Sequence, residues 1–376
     1  MDGERVNKKR IIMFFLLAVF IMVSLPPGVS GYQEREEIVL RGRVIEAQEF
    51  QPEEDYVLME QVARVEVTSG ELKGEVFTVD NYIMDHPGYD MYLEEGREVL
   101  LLAEKEDGLV REVFLKDMVR DKYLYYLTGF FALLLILVGG KKGIKTIAAL
   151  LFTALVIVRI MLPLILEGYN PILVSVSLAS LTAVFTLVVI GGLEKKTLAA
   201  VIGTITGVVV AGLLALWVGN LAHLTGFSSE EAQMLMYMEG AFIDVRGLLF
   251  AGIIIGSLGA VTDVGISIAS AVSELKKNNP RAGSYSLMVS GINIGRDIMG
   301  TMANTLILAY VGGATPLLLL LLGYEMAWID IINLDLVATE VLRSVAGSIG
   351  LVITIPVTAL ASTFLLKKST WPKKNY

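Results

Sequence analysis

RGLLFAGIIIGSLGAVTDVGISIASAVSEL (246–275) and SGINIGRDIMGTMANTLILAY (290–310) decide how this chain folds. Both segments are apolar and long enough to cross a bilayer, yet each carries a polar stripe. On the first, Gly252, Gly256, Gly259, Asp263, Ser267, Ser270 and Glu274 follow at intervals of three or four residues, which places them on one helical face. On the second, Ser286, Ser290, Asn293, Asp297, Gly300 and Asn304 keep the same rhythm, with Arg296 beside them. Small residues let helix backbones approach closely, and a charge inside lipid is costly unless paired. The pattern predicts that Gly252, Gly256, Gly259, Ser267, Ser270 and Gly300 form the packing face of two helices, with a functional site on it.

Asp263 lies about nine residues, roughly 13 Å, from the basic end of its helix. Arg296 climbs a similar distance along the returning helix, so the two are expected to share one depth and pair. Asp297, Asn293 and Asn304 would line the same path. An ionisable residue inside the membrane is a functional candidate by default. A buried salt bridge that only fixes helix register is the plainer alternative.

Working outward, apolar spans are predicted at about 123–139, 144–166, 171–191, 197–220, 245–272, 285–311 and 340–366. Segment 314–333 is long enough to dip into a bilayer but not to cross it. Lys141, Lys142 and Lys145, then Lys195 and Lys196, then Lys276, Lys277 and Arg281, then Lys367 and Lys368 fall in alternate connections, and acids occupy the others. Under the positive-inside rule the basic loops and the C-terminal tail (367–376) are cytoplasmic. Seven spans then fit only if 314–333 stays on the outer side. Asp244 is expected to cap the helix that follows it, and 228–242 to form an interfacial helix. In the last span Glu340 and Arg343 read as a solvated i,i+3 pair, and Gly203, Gly207 and Ala211 as generic helix packing.

The N-terminal 1–31 carries four basic residues, an apolar run and small residues near Ser30, and reads as a signal peptide or an uncleaved anchor. Residues 36–119 change character to five short alternating runs separated by Gly, Pro, Asn and Asp. They predict an exported, all-β, OB-like barrel. The longest connection carries Tyr82, His86, Tyr89 and Tyr92, where packing over a barrel end is favoured over ligand binding. The fold class is thus a membrane all-α helical bundle (123–366) with a small extracytoplasmic β domain.

Composition narrows the chemistry. The chain is 54% hydrophobic, with a mean hydropathy of +0.64. It has no cysteine and two histidines, so no thiolate site is possible and neither a metal nor a cofactor is implied. No basic, aromatic surface suggests nucleic acid. The residues before Asp263 are AVT rather than GxG, residues 256–259 are GSLG rather than GxSG, and no GxxxxGK[ST] occurs. The chain is not expected to be an enzyme.

The segments AGIIIGSLGAVTDVGISIASAVSEL, SGINIGRDIMGTMANTLILAYVGG, GGLEKKTLAAVIGTITG and RSVAGSIGLVITIPVTALAS closely resemble the YibE/F-like family of bacterial membrane proteins. That resemblance implies a multi-pass plasma-membrane protein and no settled activity. The order of a Gly–Asp helix, a basic loop, an Arg and a Pro-containing last span is also distantly similar to the SecD/SecF branch of the RND superfamily. There a membrane Asp and an Arg serve proton-driven work, roles that would fall on Asp263 and Arg296. Extra spans and an unlike exported domain depart from that pattern.

Two functions follow. One is a transporter or ion-motive-force-coupled permease-like protein, in which Asp263 accepts a proton or cation and Arg296 is its charge partner. The other is a non-transporting receptor or assembly factor that binds a partner through the β domain. Lipid surrounds either one, and the remaining small-residue faces would suit a homo-oligomer or a related membrane subunit.

Overall fold

The computed structural model describes residues 36–51, 57–86, 88–106, 109–237 and 243–367. The expectations for 1–31, and for the tail beyond Lys367, lie outside the described residues. Two compact units divide between Leu134 and Leu135, inside the first helix after the strands.

The β unit is one antiparallel sheet of β1 (Glu36–Phe50), β2 (Met59–Val67), β3 (Val76–Ile83), β4 (Glu98–Glu106) and β5 (Leu109–Met118). Its order is β3-β2-β1-β4-β5, and the edge strands β3 and β5 approach, so the sheet nearly closes. β1 is long because it serves both halves: its first part pairs with β4 and its second with β2. A bulge between Val44 and Glu46 lets it bend between them. Gly42 sits at that crossing, where a Cβ would overlap Val65 and press on Leu101 at 3.1 Å. Alternate residues point inward, and Leu40, Val44, Val65, Val79, Val99 and Leu101 form the core.

Two buried amides close this core. Gln61 Oε1 accepts from the Leu93 backbone N–H (2.9 Å) and from Asn81 Nδ2 (3.1 Å), and Asn81 Nδ2 also reaches the Met91 carbonyl at 2.5 Å. They tie down the longest connection through its backbone, so its aromatic rings are not needed as a plug. Tyr82, Tyr89 and Tyr92 are 50%, 81% and 47% exposed and His86 is exposed as well, which corrects the expectation that they pack over the barrel end.

The helical unit follows the predicted spans closely. α1 (Asp121–Gly139) and α2 (Lys141–Leu166) are joined at Gly140, whose φ of 52° suits glycine. α2 contains one π turn, Ile157–Met161, around Arg159. α3 (Pro171–Gly191) starts on an Asn170 cap, and α4 (Lys195–Leu221) follows. A short α5 (Glu230–Met234) is capped by Ser229, and α6 (Val245–Asn278) by Asp244, whose side chain accepts from Gly247 N at 2.8 Å. α7 (Ser284–Gly313), α8 (Thr315–Gly323), α9 (Trp328–Asn333) and α10 (Asp335–Lys367) complete the unit.

Six of these helices are long and apolar enough to cross a membrane. α7 and α8 together make a seventh candidate, bent by 60° at their junction. α8 itself has nine residues, about 13 Å, and is too short to cross alone.

α4, α6 and α10 form the centre of the bundle. Gly203 and Gly207 of α4 lie against Thr358 and Thr354 of α10 so closely that a Cβ on either glycine would overlap a threonine hydroxyl. A Cβ at Gly350 of α10 would in turn meet the Gly207 carbonyl at 2.6 Å and Ala211 at 2.8 Å. This seam is a close small-residue contact between two central helices.

Candidate functional site

α7 packs on the bundle through Gly291 and Gly295. A Cβ at Gly291 would meet Val272 of α6 at 2.7 Å and Ala359 of α10 at 3.1 Å, and one at Gly295 would overlap Ile355 and touch Ile268 at 3.2 Å. Ile268 and Val272 therefore mark the side of α6 that faces α7. At about 100° per residue, Asp263 lies roughly 140° around the helix from Ile268 and 180° from Val272.

The consequence is visible in exposure. Gly252, Gly256, Gly259, Asp263, Ser267 and Glu274 are exposed and Ser270 is half-buried. On α7, Asn293, Arg296, Asp297, Gly300 and Asn304 are likewise exposed. A Cβ at Gly252, Gly259 or Gly300 would find nothing within 4 Å among the described residues. The two polar stripes are real, but they are not the packing face predicted for them. Gly291 and Gly295, which lie off the α7 stripe, make the contact instead.

The expected Asp263–Arg296 pair is not formed. Arg296 Nη1 donates to Asn293 Oδ1 of its own helix at 3.2 Å. Among the described residues, Asp263 has neither a hydrogen bond nor an ion pair. The contacts of Gly291 and Gly295 set the levels of the two helices, placing Gly300 opposite Asp263 and Arg296 opposite Ser267. The depths thus agree to about one turn, or some 6 Å, while the directions diverge.

One stripe residue does meet α7. The Tyr310 hydroxyl lies over Gly256, in space that any side chain there would fill. Tyr310 also walls a cleft of about 290 Å³ with Ala309, Gly313, Leu336, Glu340 and Arg343. Arg343 Nη1 donates to Glu340 Oε1 at 2.8 Å, with side-chain exposures of 31% and 23%. Arg343 Nε is buried without a partner among the described residues. The pair is half-buried in a cleft wall rather than freely solvated, because α7 and its turn into α8 cover one side of it. The sequence signal for this cleft was the hydroxyl of Tyr310 at the end of an aliphatic run, a group that needs a polar neighbour.

Arg246 has a structural role that the sequence did not reveal. Its Nη2 donates to the Gly219 carbonyl in the last turn of α4 at 3.0 Å, and the guanidinium sits 6.0 Å from the Phe250 ring centre. A cation at a helix C-terminus is favourable there.

Residues 127–368 match the family of YibE/F-like proteins, well over half of the chain. The chain belongs to the YibE/F-like family. No curated protein and no solved structure matches it. The family match runs from within α1 to the end of α10, so it takes in both stripes and the cleft and leaves out the β unit. Together with the apolar helices it makes this a multi-pass membrane protein whose bundle contacts lipid.

Proposed function

We propose that this protein is a non-enzymatic transporter or ion-motive-force-coupled, permease-like protein, with Asp263 as the proton or cation acceptor. One observation carries the reading: a carboxylate with no partner among the described residues stands near the middle of a 34-residue apolar helix. Arg296, Asp297, Asn293 and Asn304 supply a polar track on the neighbouring helix at similar depths. The basic ends of α2, α4 and α6 support a cytoplasmic C-terminus and an exported β unit. The test is Asp263→Asn, which keeps the shape and removes the charge. In proteoliposomes reporting proton or sodium entry, the wild type is expected to show gradient-driven flux and the variant at least about tenfold less. A wild type without flux, or a variant with full flux, ends this reading.

A second reading draws on the exposed rings of the β unit. His86 and Tyr89 lie 4.6 Å apart with Tyr82 and Tyr92 also exposed, a surface suited to a protein or ligand partner. The strand order and the near closure of β3 on β5 support an OB-like barrel, a fold that commonly binds through one face and its loops. Tyr89→Ala with Tyr92→Ala would then abolish rescue of a deletion strain while flux persists. Rescue at full level rejects it.

A further inference from the structure

The cleft between α7 and α10 is a polar feature that an ion acceptor at Asp263 does not use. Leu336, Glu340 and Arg343 stand at i, i+4 and i+7 on α10, so they share one face and form one wall. Ala309, Gly313 and Ala314 form the opposite wall, where their small side chains leave the space open. Glu340 and Arg343 lie only about 8 and 12 Å from the start of α10, so a solute in water can reach them from that end of the bundle. A volume of about 290 Å³ suits a ligand smaller than a drug.

The arginine is half used. Arg343 gives Nη1 to Glu340 at 2.8 Å and makes no other hydrogen bond or ion pair among the described residues. That leaves the Nε–Nη2 edge, two parallel donors spaced to take both oxygens of a carboxylate. Nε is buried without a partner, which is a costly state for a charged donor. The side chain keeps 31% exposure, and a small turn of the guanidinium brings this edge to the cleft. Glu340 supplies the opposite sign on the same wall. The pair is neutral overall, so a ligand with one charge would leave an uncompensated charge in a half-buried site, whereas a zwitterion would not. Helix polarity points the same way. α7 ends and the uncapped α8 begins at this cleft, so a negative and a positive helix end border it together.

We propose that this cleft binds a small α-amino acid with an apolar side chain. Its carboxylate lies on the Nε–Nη2 edge of Arg343, its ammonium beside Glu340, and its side chain against Leu317 and Leu336. The site is separate from Asp263 and its test needs no ion flux, so either reading can fail without the other.

The purified full chain, in a maltoside detergent that carries neither phosphate nor ammonium, is titrated with L-leucine and followed by thermal melting. A saturable rise, half-complete below about 10 mM, is expected. 4-Methylpentanoate is leucine without its ammonium, and 3-methylbutylamine is leucine without its carboxylate. Each should bind at least about tenfold more weakly. Arg343→Lys keeps the charge but loses the two-donor edge, and should weaken leucine at least about tenfold. Glu340→Gln leaves the arginine uncompensated, so it should weaken leucine and make 4-methylpentanoate the tighter ligand. A pair with a merely structural role would not produce that exchange of preference. If either variant fails to fold, the three compounds on the wild type still decide. A wild type that responds to neither L-leucine nor L-alanine overturns the proposal, and so does equal binding of the three compounds. Stabilisation by phosphatidylethanolamine without any response to leucine assigns the cleft to a lipid headgroup instead.

Discussion

α4 and α6 carry small residues at similar spacings and meet opposite fates. On α4, Gly203, Gly207 and Ala211 disappear beneath Gly350, Thr354 and Thr358 of α10. On α6, Gly252 and Gly259 face open space, and Gly256 meets only the tip of Tyr310. The two faces differ in the polar groups that travel with the glycines. The α4 face meets the hydroxyls of Thr354 and Thr358, which are small and neutral and cost far less to bury than a charge. The α6 face carries Asp263, whose carboxylate needs a countercharge that the inward-packing residues of α7 and α10 do not supply. A small-residue stripe thus shows where close approach is possible. Its ionisable content decides whether the chain's own helices make that approach.

The largest test of this contrast is overpacking. Gly207→Leu would drive a side chain into the Thr354 hydroxyl, the Gly350 carbonyl at 2.7 Å and Val261 at 2.8 Å. It is expected to destabilise the bundle by about 3 kcal/mol or more, read as lost expression or a much lower melting temperature in detergent. Gly259→Leu, with nothing within 4 Å among the described residues, should not lower the melting and should raise it by up to about 1 kcal/mol, since leucine is the better helix former. Equal damage from both would show that the α6 face is covered after all.

A finer test stays within the buried seam. Thr354 Oγ1 has the Gly350 carbonyl at 2.9 Å and the Gly203 carbonyl at 3.3 Å as acceptors, whereas Thr358 Oγ1 has no partner among the described residues. Replacing Thr354 with valine should therefore cost about 1 kcal/mol. Thr358→Val removes an unsatisfied buried hydroxyl at nearly constant volume and should be neutral or stabilising. The expected melting order is Thr358→Val at or above wild type, and Thr354→Val below it. The reverse order would mean that the Thr358 hydroxyl is satisfied in the membrane and that the seam is wetter than its packing implies.

The spans, the strands and both stripes were legible in the sequence because each is a local periodicity: apolar runs of lipid length, alternation at two, and spacing at three and four. The partner of each face was not legible. A helical wheel gives the angle at which Asp263 leaves its helix but not what stands at that angle, which depends on how Gly291 and Gly295 seat α7. The same limit explains the seam. Gly203 and Gly207 share the spacing of Gly252 and Gly256, and although Asp263 sets the second face apart, nothing local says that Thr354 and Thr358 cover the first. Arg246 was overlooked because it bonds across helices to a carbonyl far away in the chain, and Tyr310 because the glycine it covers lies on another helix. Gln61 and Asn81 passed as ordinary strand polars, since nothing local marks an amide as the one that closes a barrel.

The smallest effect belongs outside the lipid, where charges are cheap to expose. Lys122 at the start of α1 donates to Glu98 Oε2 at 2.8 Å, and Arg43 lies 3.6 Å from the other oxygen. The Lys122 hydrogen bond, more than its charge or that of Arg43, holds the Glu98 carboxyl below the ordinary carboxylate range. Asp117 is lowered too, chiefly by the Met118 backbone N–H at 2.7 Å and then by Arg120. A depressed carboxylate favours the folded state only while it is ionised in that state. Its contribution is therefore complete above the ordinary range and is lost as pH falls through the lowered value. Thermal unfolding of the full chain, followed through the β-sheet signal, should soften as pH drops below about 4. Glu98→Gln should make that acid dependence shallower while lowering the neutral-pH midpoint only slightly, because the pair is partly exposed and screened by water and salt. At Asp263 the same loss of one charge is expected to cut gradient-driven flux at least about tenfold. A large, salt-insensitive effect at Glu98 would erase that distinction between a charge in water and a charge in lipid.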